Sequence, residues 1–243
     1  MRELLPGPGT DVDPVTAYTL PPTTPSYVRA AMVSSADGAA TVAGHVGPLS
    51  GPADQRMLQL LRALSDVILV GAGTIRAEGY GGPLIPDDWQ RYRKARGLDA
   101  HPRLAVLSGR LAMDFGGPPF ADCPQRPLVV TTSSAPEGRR QAAGAVADLV
   151  TAGTDRVGLP AAVSGLHARG LRHVLCEGGP TVLAQMFAAG MVDELCLTLA
   201  PNVVCGDGLR VTNGSPLPEP DHLRLTRLLE EDGFLFVSYT PQP

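Results

Sequence analysis

The sequence predicts an α/β protein with a mostly parallel central sheet, helices on both faces and a C-terminal antiparallel hairpin. Three observations predict it. Short apolar runs alternate with helix-like stripes through the middle of the chain, the pattern of repeated strand–helix units. Two of those runs, Asp66 to Val70 and Val174 to Cys176, lead into glycine turns that open a helix. Near the C-terminus, Glu231-Asp232-Gly233 separates two strand-like stretches and reads as a hairpin turn.

Residues 1–25 are rich in Pro, Thr and Gly and show no clean periodicity. A poorly ordered or draped arm is expected there, followed by a single domain over residues 26–243. Tyr27 to Ser34 is the first strand and Asp37-Gly38 a turn. A helix is expected from Ser50 to Leu64. Ser50 can cap it, Pro52 suits its first turn and Asp54 complements its dipole. Met57, Leu60, Leu61 and Leu64 recur at i, i+3, i+4 and i+7 and form its core stripe. Arg56 and Arg62 lie off that stripe, free to reach ligand or solvent. Asp66 to Val70 is a buried strand running into Gly71-Ala72-Gly73-Thr74-Ile75-Arg76, and Asp87 and Asp88 fall in a Pro/Gly-rich loop. Further strands are expected over Arg103–Leu107, Leu128–Thr131, Asp148–Thr151, His173–Glu177, Glu194–Ala200, Leu223–Glu230 and Phe234–Thr240. Helices are expected over Pro160–Arg169, stopped by Gly170, and Thr181–Ala189, stopped by Gly190.

Composition excludes several classes. A net charge of -4 gives no electrostatic reason for nucleic-acid or membrane binding. No signal peptide or bilayer-length apolar run is seen, and a reduced, cytoplasmic setting is the default. The four cysteines lack metal-like spacing, and Cys176 and Cys196 read as small core residues. The five histidines are scattered, and neither H-E-x-x-H nor G-x-S-x-G occurs, so no metal and no hydrolase triad is expected.

The glycine turns carry the chemistry. Gly178 and Gly179 permit close backbone approach, Pro180 suits a first helical position, and Thr181 adds a hydroxyl. A helix opened this way presents unpaired N–H groups to a phosphate. Glu177 stands at the strand's carboxyl end, where ligands bind in open α/β sheets. Gly71 and Gly73 begin like a dinucleotide fingerprint, but Arg76 replaces the third glycine, which disfavours a standard Rossmann domain. Two such turns suggest one ligand spanning both. Ser108-Gly109-Arg110, at another strand end, pairs a hydroxyl with a guanidinium and suits a 2′-phosphate.

Together these segments resemble the reductase domain of riboflavin biosynthesis, the C-terminal half of the bifunctional deaminase–reductase. The resemblance runs from Tyr27 to the C-terminus. It is strongest at S-S-A-D-G (Ser34 to Gly38), at Leu60 to Glu78, and at E-G-G-P-T (Glu177 to Thr181) followed by V-D-E-L (Val192 to Leu195). It implies a dihydrofolate reductase-like fold, NADPH as cofactor and a homodimer. The zinc-ligand pattern of the deaminase half is not seen, so a stand-alone reductase-type chain is expected.

Carried over by motif, Thr74, Glu78 and Ser108 match NADPH-contacting positions, although the family usually has Asp at the second. Gly179, Pro180, Thr181 and Val182 match the pyrophosphate turn, and Ser34 the strand end facing the nicotinamide. Asp37 matches the aspartate of S-x-D-G, with turn-capping and catalysis as its two readings. Arg62 and Glu177 match substrate-side positions, Glu177 being taken as catalytic, and Ser50 is a further substrate-side candidate.

The departures fall on the substrate side. The lysine common six residues before Asp37 is Ala31, the loop Gly79 to Ile85 has no arginine, and Pro48 stands where tryptophan is expected. Arg29 or Arg62 could compensate for one lost cation. The expectation is an NADPH-dependent reductase of a pyrimidine or pteridine, 5-amino-6-(5-phosphoribosylamino)uracil reductase-like, weak on a phosphoribosyl substrate and measurably active on dihydrofolate. The alternative is a non-catalytic NADPH- or nucleotide-binding protein.

Overall fold

In the computed structural model, which describes residues 1–7 and 9–242, the chain forms one ten-stranded sheet. In chain order the elements are β1 (Arg2–Leu5), α1 (Pro14–Tyr18), β2 (Tyr27–Ser35), α2 (Pro52–Ala63), β3 (Val67–Gly71), α3 (Ala72–Glu78), α4 (Asp87–Lys94), β4 (Arg103–Leu107) and α5 (Pro118–Ala121). There follow β5 (Leu128–Thr131), α6 (Glu137–Val146), β6 (Asp148–Thr151), α7 (Leu159–His167), β7 (His173–Cys176), α8 (Pro180–Ala188), β8 (Glu194–Ala200), β9 (Leu223–Glu231) and β10 (Phe234–Pro241). The strand order is β1-β9-β10-β8-β2-β7-β3-β4-β5-β6. From β8 to β6 all neighbours are parallel, while β10, β9 and β1 are antiparallel. The expected fold class is the observed one.

The apolar runs are continuous because the parallel strands are covered on both faces. Val67 and Leu69 pack with Leu166, Leu183 and Met186 from α7 and α8. Ile68 and Val70 point the other way, to Ile75 of α3 and Ala143 of α6. The stripe of α2 packs on that second face against Leu175, Cys196 and Phe236.

Three expectations are corrected. The arm does not stay outside the domain: β1 pairs with β9, and Tyr18 of α1 is 2% exposed within the core. A four-residue strand is too short to show period two, and the surrounding prolines obscured it. Asp87 and Asp88 are not loop residues but open α4, where they complement the helix dipole. Gly51, not Ser50, is the N-cap of α2, and no side chain caps it.

Candidate active site

A cavity of about 690 Å³ opens over β2, β3 and β7 and reaches across β8. It lies at the carboxyl ends of β3 and β7, as expected for an open parallel sheet. Its roof is made of two loops. Thr41, Gly44 and Val46 come from the segment between β2 and α2, and Leu209 from the segment between β8 and β9. The roof loops are tied to one another and to the body. Ala40 N–H donates to the Leu209 carbonyl at 2.6 Å, and Asn213 N–H to the Pro180 carbonyl at 3.1 Å.

At one end of the cavity the two glycine turns interlock. Gly71 N–H donates to the Gly178 carbonyl at 2.7 Å. A Cβ on Gly179 would stand 2.6 Å from Thr74 Oγ1, and one on Gly71 would stand 2.9 Å from a Val182 methyl. Gly178 has φ +77°, a left-handed conformation that favours glycine, and the Gly178–Gly179 peptide is cis. These glycines are therefore required by the packing of one turn on the other. Gly73 differs: a Cβ there would meet only an Arg76 nitrogen, at 4.0 Å, so its backbone is open to a ligand. Pro180, Thr181 and Val182 line the same end, where α8 begins with no side chain capping it. Its first N–H groups are free to bind an anion. Glu78 also lines the cavity, and its carboxylate accepts the Val46 N–H at 3.0 Å, holding the roof.

The middle of the cavity holds an ion pair. Arg62 grips Glu177 through Nε to Oε1 and Nη2 to Oε2, each 2.7 Å, and donates from Nη1 to the Leu84 carbonyl at 3.1 Å. The Tyr80 hydroxyl donates to Glu177 Oε2. The pair is largely buried, with side-chain exposures of 16% and 4%. Burial pulls the Arg62 pKa down, but the Glu177 charge more than offsets this and leaves it above the ordinary arginine value. Burial, reinforced by the Glu177 charge, holds the Tyr80 phenol well above its usual range.

At the far end stands Asp54, 8% exposed, on the third residue of α2. Ser50 Oγ donates to its Oδ2 at 2.5 Å, and the Thr198 hydroxyl of β8 stands near it. Burial raises its carboxyl pKa, and the two hydroxyls oppose that shift. Ala31, Met57, Cys196 and Phe236 form an apolar wall around it.

Among the sequence candidates, the cavity gathers Ser50, Arg62, Gly71, Gly73, Thr74, Glu78, Glu177, Gly179, Pro180, Thr181 and Val182. Gly178 stands behind them as the acceptor for Gly71. Others fall elsewhere. Asp37 does not line the cavity; its carboxylate accepts from the Ser35 hydroxyl and from the Val204 and Cys205 N–H groups. These bonds, the Ser35 hydroxyl first, lower its pKa to about 2. These bonds fit the turn-capping reading of Asp37, and its place off the cavity lends nothing to the catalytic one. Ser34 is buried and donates to the Ser35 carbonyl, so the strand end facing the cavity is Ala31 to Val33 instead. Ser108 and Arg110 lie off the cavity, after β4, the neighbour of β3. Arg29 is not available either: it is 5% exposed and its Nε donates to Glu194 Oε2 at 2.7 Å.

Over residues 26–232 the sequence matches the RibD C-terminal domain. The chain belongs to that family. Its relatives are consistent in kind. The 2,5-diamino-6-ribosylamino-4(3H)-pyrimidinone 5′-phosphate reductase of Methanothermobacter thermautotrophicus is 32% identical over 222 residues, covering 88% of this chain and 97% of that protein. A pyrimidine reductase-like protein from Corynebacterium diphtheriae superposes with a TM-score of 0.85 at 32% identity, covering 96% of this chain and all of that one. A diaminohydroxyphosphoribosylaminopyrimidine deaminase/5-amino-6-(5-phosphoribosylamino)uracil reductase from Thermotoga maritima shares the fold, with a TM-score of 0.69 at 16% identity, over 89% of this chain and 57% of that one. This RibD C-terminal domain protein is therefore an oxidoreductase, and the non-catalytic alternative is set aside.

Sequence reading missed three cavity residues of this RibD-type domain. In the sequence Asp54 stands out only as a dipole partner, yet it lies three residues before Met57 and so on the apolar stripe of α2. An acid on a core stripe was the available signal. Thr198 lies on the strand expected over Glu194–Ala200, but nothing local marks its hydroxyl as cavity-facing. Tyr80 lies in the loop Gly79 to Ile85, whose sequence stands out only by its lack of arginine.

Proposed function

We propose that this protein reduces a ribosylaminopyrimidine 5′-phosphate with NADPH. The interlocked turns at Gly71 and Gly179, which leave Gly73 and the start of α8 open to one cavity, carry this reading. They fit a dinucleotide: Gly73, Thr74 and the first N–H groups of α8 hold the pyrophosphate. Ser108 and Arg110, on the next strand end, reach toward a 2′-phosphate. NADPH, when bound, supplies a hydride to a C=N or ring-opened ribose carbonyl carbon. The chain's residues orient the substrate and exclude water. Met57, Leu61 and Phe236 enclose the flat ring, and Glu177 acts by fixing Arg62 and Tyr80 beside it.

Arg62 is the single cation lining the cavity among the described residues, and Glu177 already holds it. The substrate phosphate therefore needs another partner. Arg210 is exposed and follows Leu209, which lines the cavity, so it meets the phosphate at the mouth. The same scarcity of cations supports a second reading, reduction of an unphosphorylated pterin such as dihydrofolate. The test is NADPH oxidation with both substrates on one preparation. A kcat/KM at least tenfold higher for the phosphorylated pyrimidine, lowered by Arg210→Ala, is expected. A preference for dihydrofolate overturns the phosphate assignment.

The assembly is proposed to be a homodimer in a cytoplasmic setting. Leu225 on β9 and Val203 in the roof loop are 39% and 72% exposed, apolar surface that a partner subunit would cover. A monomeric mass by light scattering across a tenfold dilution would refute this. No helix among the described residues is long and apolar enough to cross a membrane.

A further inference from the structure

The family match begins at residue 26, yet the arm before it reaches the cavity. Tyr18, the last residue of α1, lines the cavity together with Ala31 of β2 and Cys196 of β8. Two residues back along those strands, and so on the same face, Arg29 stands opposite Glu194 and pairs with it. Arg227 of β9 joins them, its Nη1 donating to Glu194 Oε1 and to Ser238 Oγ, each at 3.3 Å. This cluster sets two guanidiniums against one carboxylate, and neither guanidinium lines the cavity. Tyr18 stands between. Its ring centre lies 4.5 Å from the Arg227 guanidinium carbon and 5.6 Å from that of Arg29. Its carbonyl accepts from Arg29 Nη2 at 3.1 Å, and its hydroxyl from Ser238 Oγ at 3.3 Å. The pairing of β1 with β9 and the Asp13 cap of α1 hold the arm in place.

We propose, resting on the reaction above, that Tyr18 is a positioning residue contributed by the arm. Its ring closes the cavity floor over the Arg29–Glu194–Arg227 cluster, so that a substrate phosphate finds a free cation only at the mouth. An aromatic ring suits both neighbours, since its face attracts a guanidinium and its body continues an apolar wall. With the floor open, the N–H groups that Arg29 and Arg227 do not spend on Glu194 would face the cavity. Each guanidinium carries five donors in a fork that matches phosphate. The floor would then compete with the mouth for the phosphate, and a substrate seated that way round presents the wrong end to the glycine turns. A closed floor leaves one orientation, in which the phosphate points outward to Arg210. The arm, which lies before the family-matched span, thus decides which end of the cavity is electropositive.

The test uses Tyr18→Ala in the full chain, with the ribosylaminopyrimidine 5′-phosphate as substrate and inorganic phosphate as probe. A substrate bound backwards occupies the site without reacting, so kcat and KM should fall together, each by about fivefold or more. Tyr18→Phe, which keeps the ring, should recover most of that fall. A KM that rises while kcat holds would instead mean that the arm only supports packing, and overturns the proposal. Calorimetry needs no turnover. Tyr18→Ala should bind inorganic phosphate about tenfold more tightly than the unmutated protein, the gain of one charged hydrogen bond. No gain overturns the closed floor whatever the kinetics show. Should Tyr18→Ala fail to fold, judged by lost NADPH affinity, Tyr18→Leu keeps an apolar side chain in that core cluster without the ring and is read the same way. Failure of the unmutated protein to oxidise NADPH overturns the reductase reading alone, because the phosphate measurement still decides the floor.

Discussion

The two ends of the cavity are built by different means. At the β3–β7 end, shape comes from backbone: glycines placed where a Cβ would strike Thr74 or Val182. In the middle and at the α2 end, chemistry comes from side chains whose availability depends on partners far away in sequence, as that of Arg62 depends on Glu177. A backbone cradle is encoded locally. A charge is only as available as its distant partner allows.

The largest expected effect breaks the side-chain end. Glu177→Ala leaves the Arg62 guanidinium buried without its carboxylate, and should cost about 3–5 kcal/mol of stability. Denaturant midpoints measure it, and Arg62→Ala should cost nearly as much. The double variant should lose much less than the sum, because the pair acts as a unit. A loss below about 1 kcal/mol for Glu177→Ala would mean that the pair behaves as a solvated one.

The next effect breaks the backbone end. Gly71→Ala drives a methyl to 2.9 Å from Val182 Cγ2. Overpacking of this kind costs about 1–3 kcal/mol. Val182→Ala in the same chain should recover part of it, since the clash is with a side chain. No recovery would place the constraint in the backbone around Gly178 instead.

A smaller effect sharpens cofactor choice. Arg110 is exposed, so Arg110→Ala should weaken NADPH relative to NADH by about 1 kcal/mol. Equal affinity of the unmutated protein for both cofactors would sink the 2′-phosphate assignment.

These contrasts also explain what was legible in the sequence. The strands Arg103–Leu107, Leu128–Thr131, Asp148–Thr151 and Glu194–Ala200 fall where the apolar runs place them. The glycine turns were legible because the need for no side chain is written in the residue itself. The Arg62–Glu177 pair was not, since no local signal joins residues on α2 and after β7. Neither was α6, whose glycines and alanines bury little and show no strong stripe. Asp37 was legible only as a choice between two roles, because the N–H groups of Val204 and Cys205 that it binds are distant in sequence.

The smallest effect tests that last point. The folded-state pKa of Asp37 is depressed from 3.8 to about 2. Its contribution is therefore present above about pH 4 and lost as pH falls toward about 2. Unfolding midpoints of the unmutated protein and Asp37→Asn should converge across that window. A constant gap would show that the charge of Asp37 does not hold the loop.

The strand order has a consequence in time. β2 is made early but lies between β7 and β8, with Tyr27 opposite His173 and Arg29 opposite Glu194. β3, β4, β5 and β6 are neighbours in both chain and sheet. Contacts near in sequence close faster than distant ones. We expect β3 to β6 to gain protection first in pulsed hydrogen exchange, and β2 only once β7 and β8 are available. Simultaneous protection of β2 and β4 would exclude that order. Because the cavity spans β2, β3, β7 and β8, it is completed only when the late strands join the early ones, and a ligand that bridges them would latch the final step of assembly.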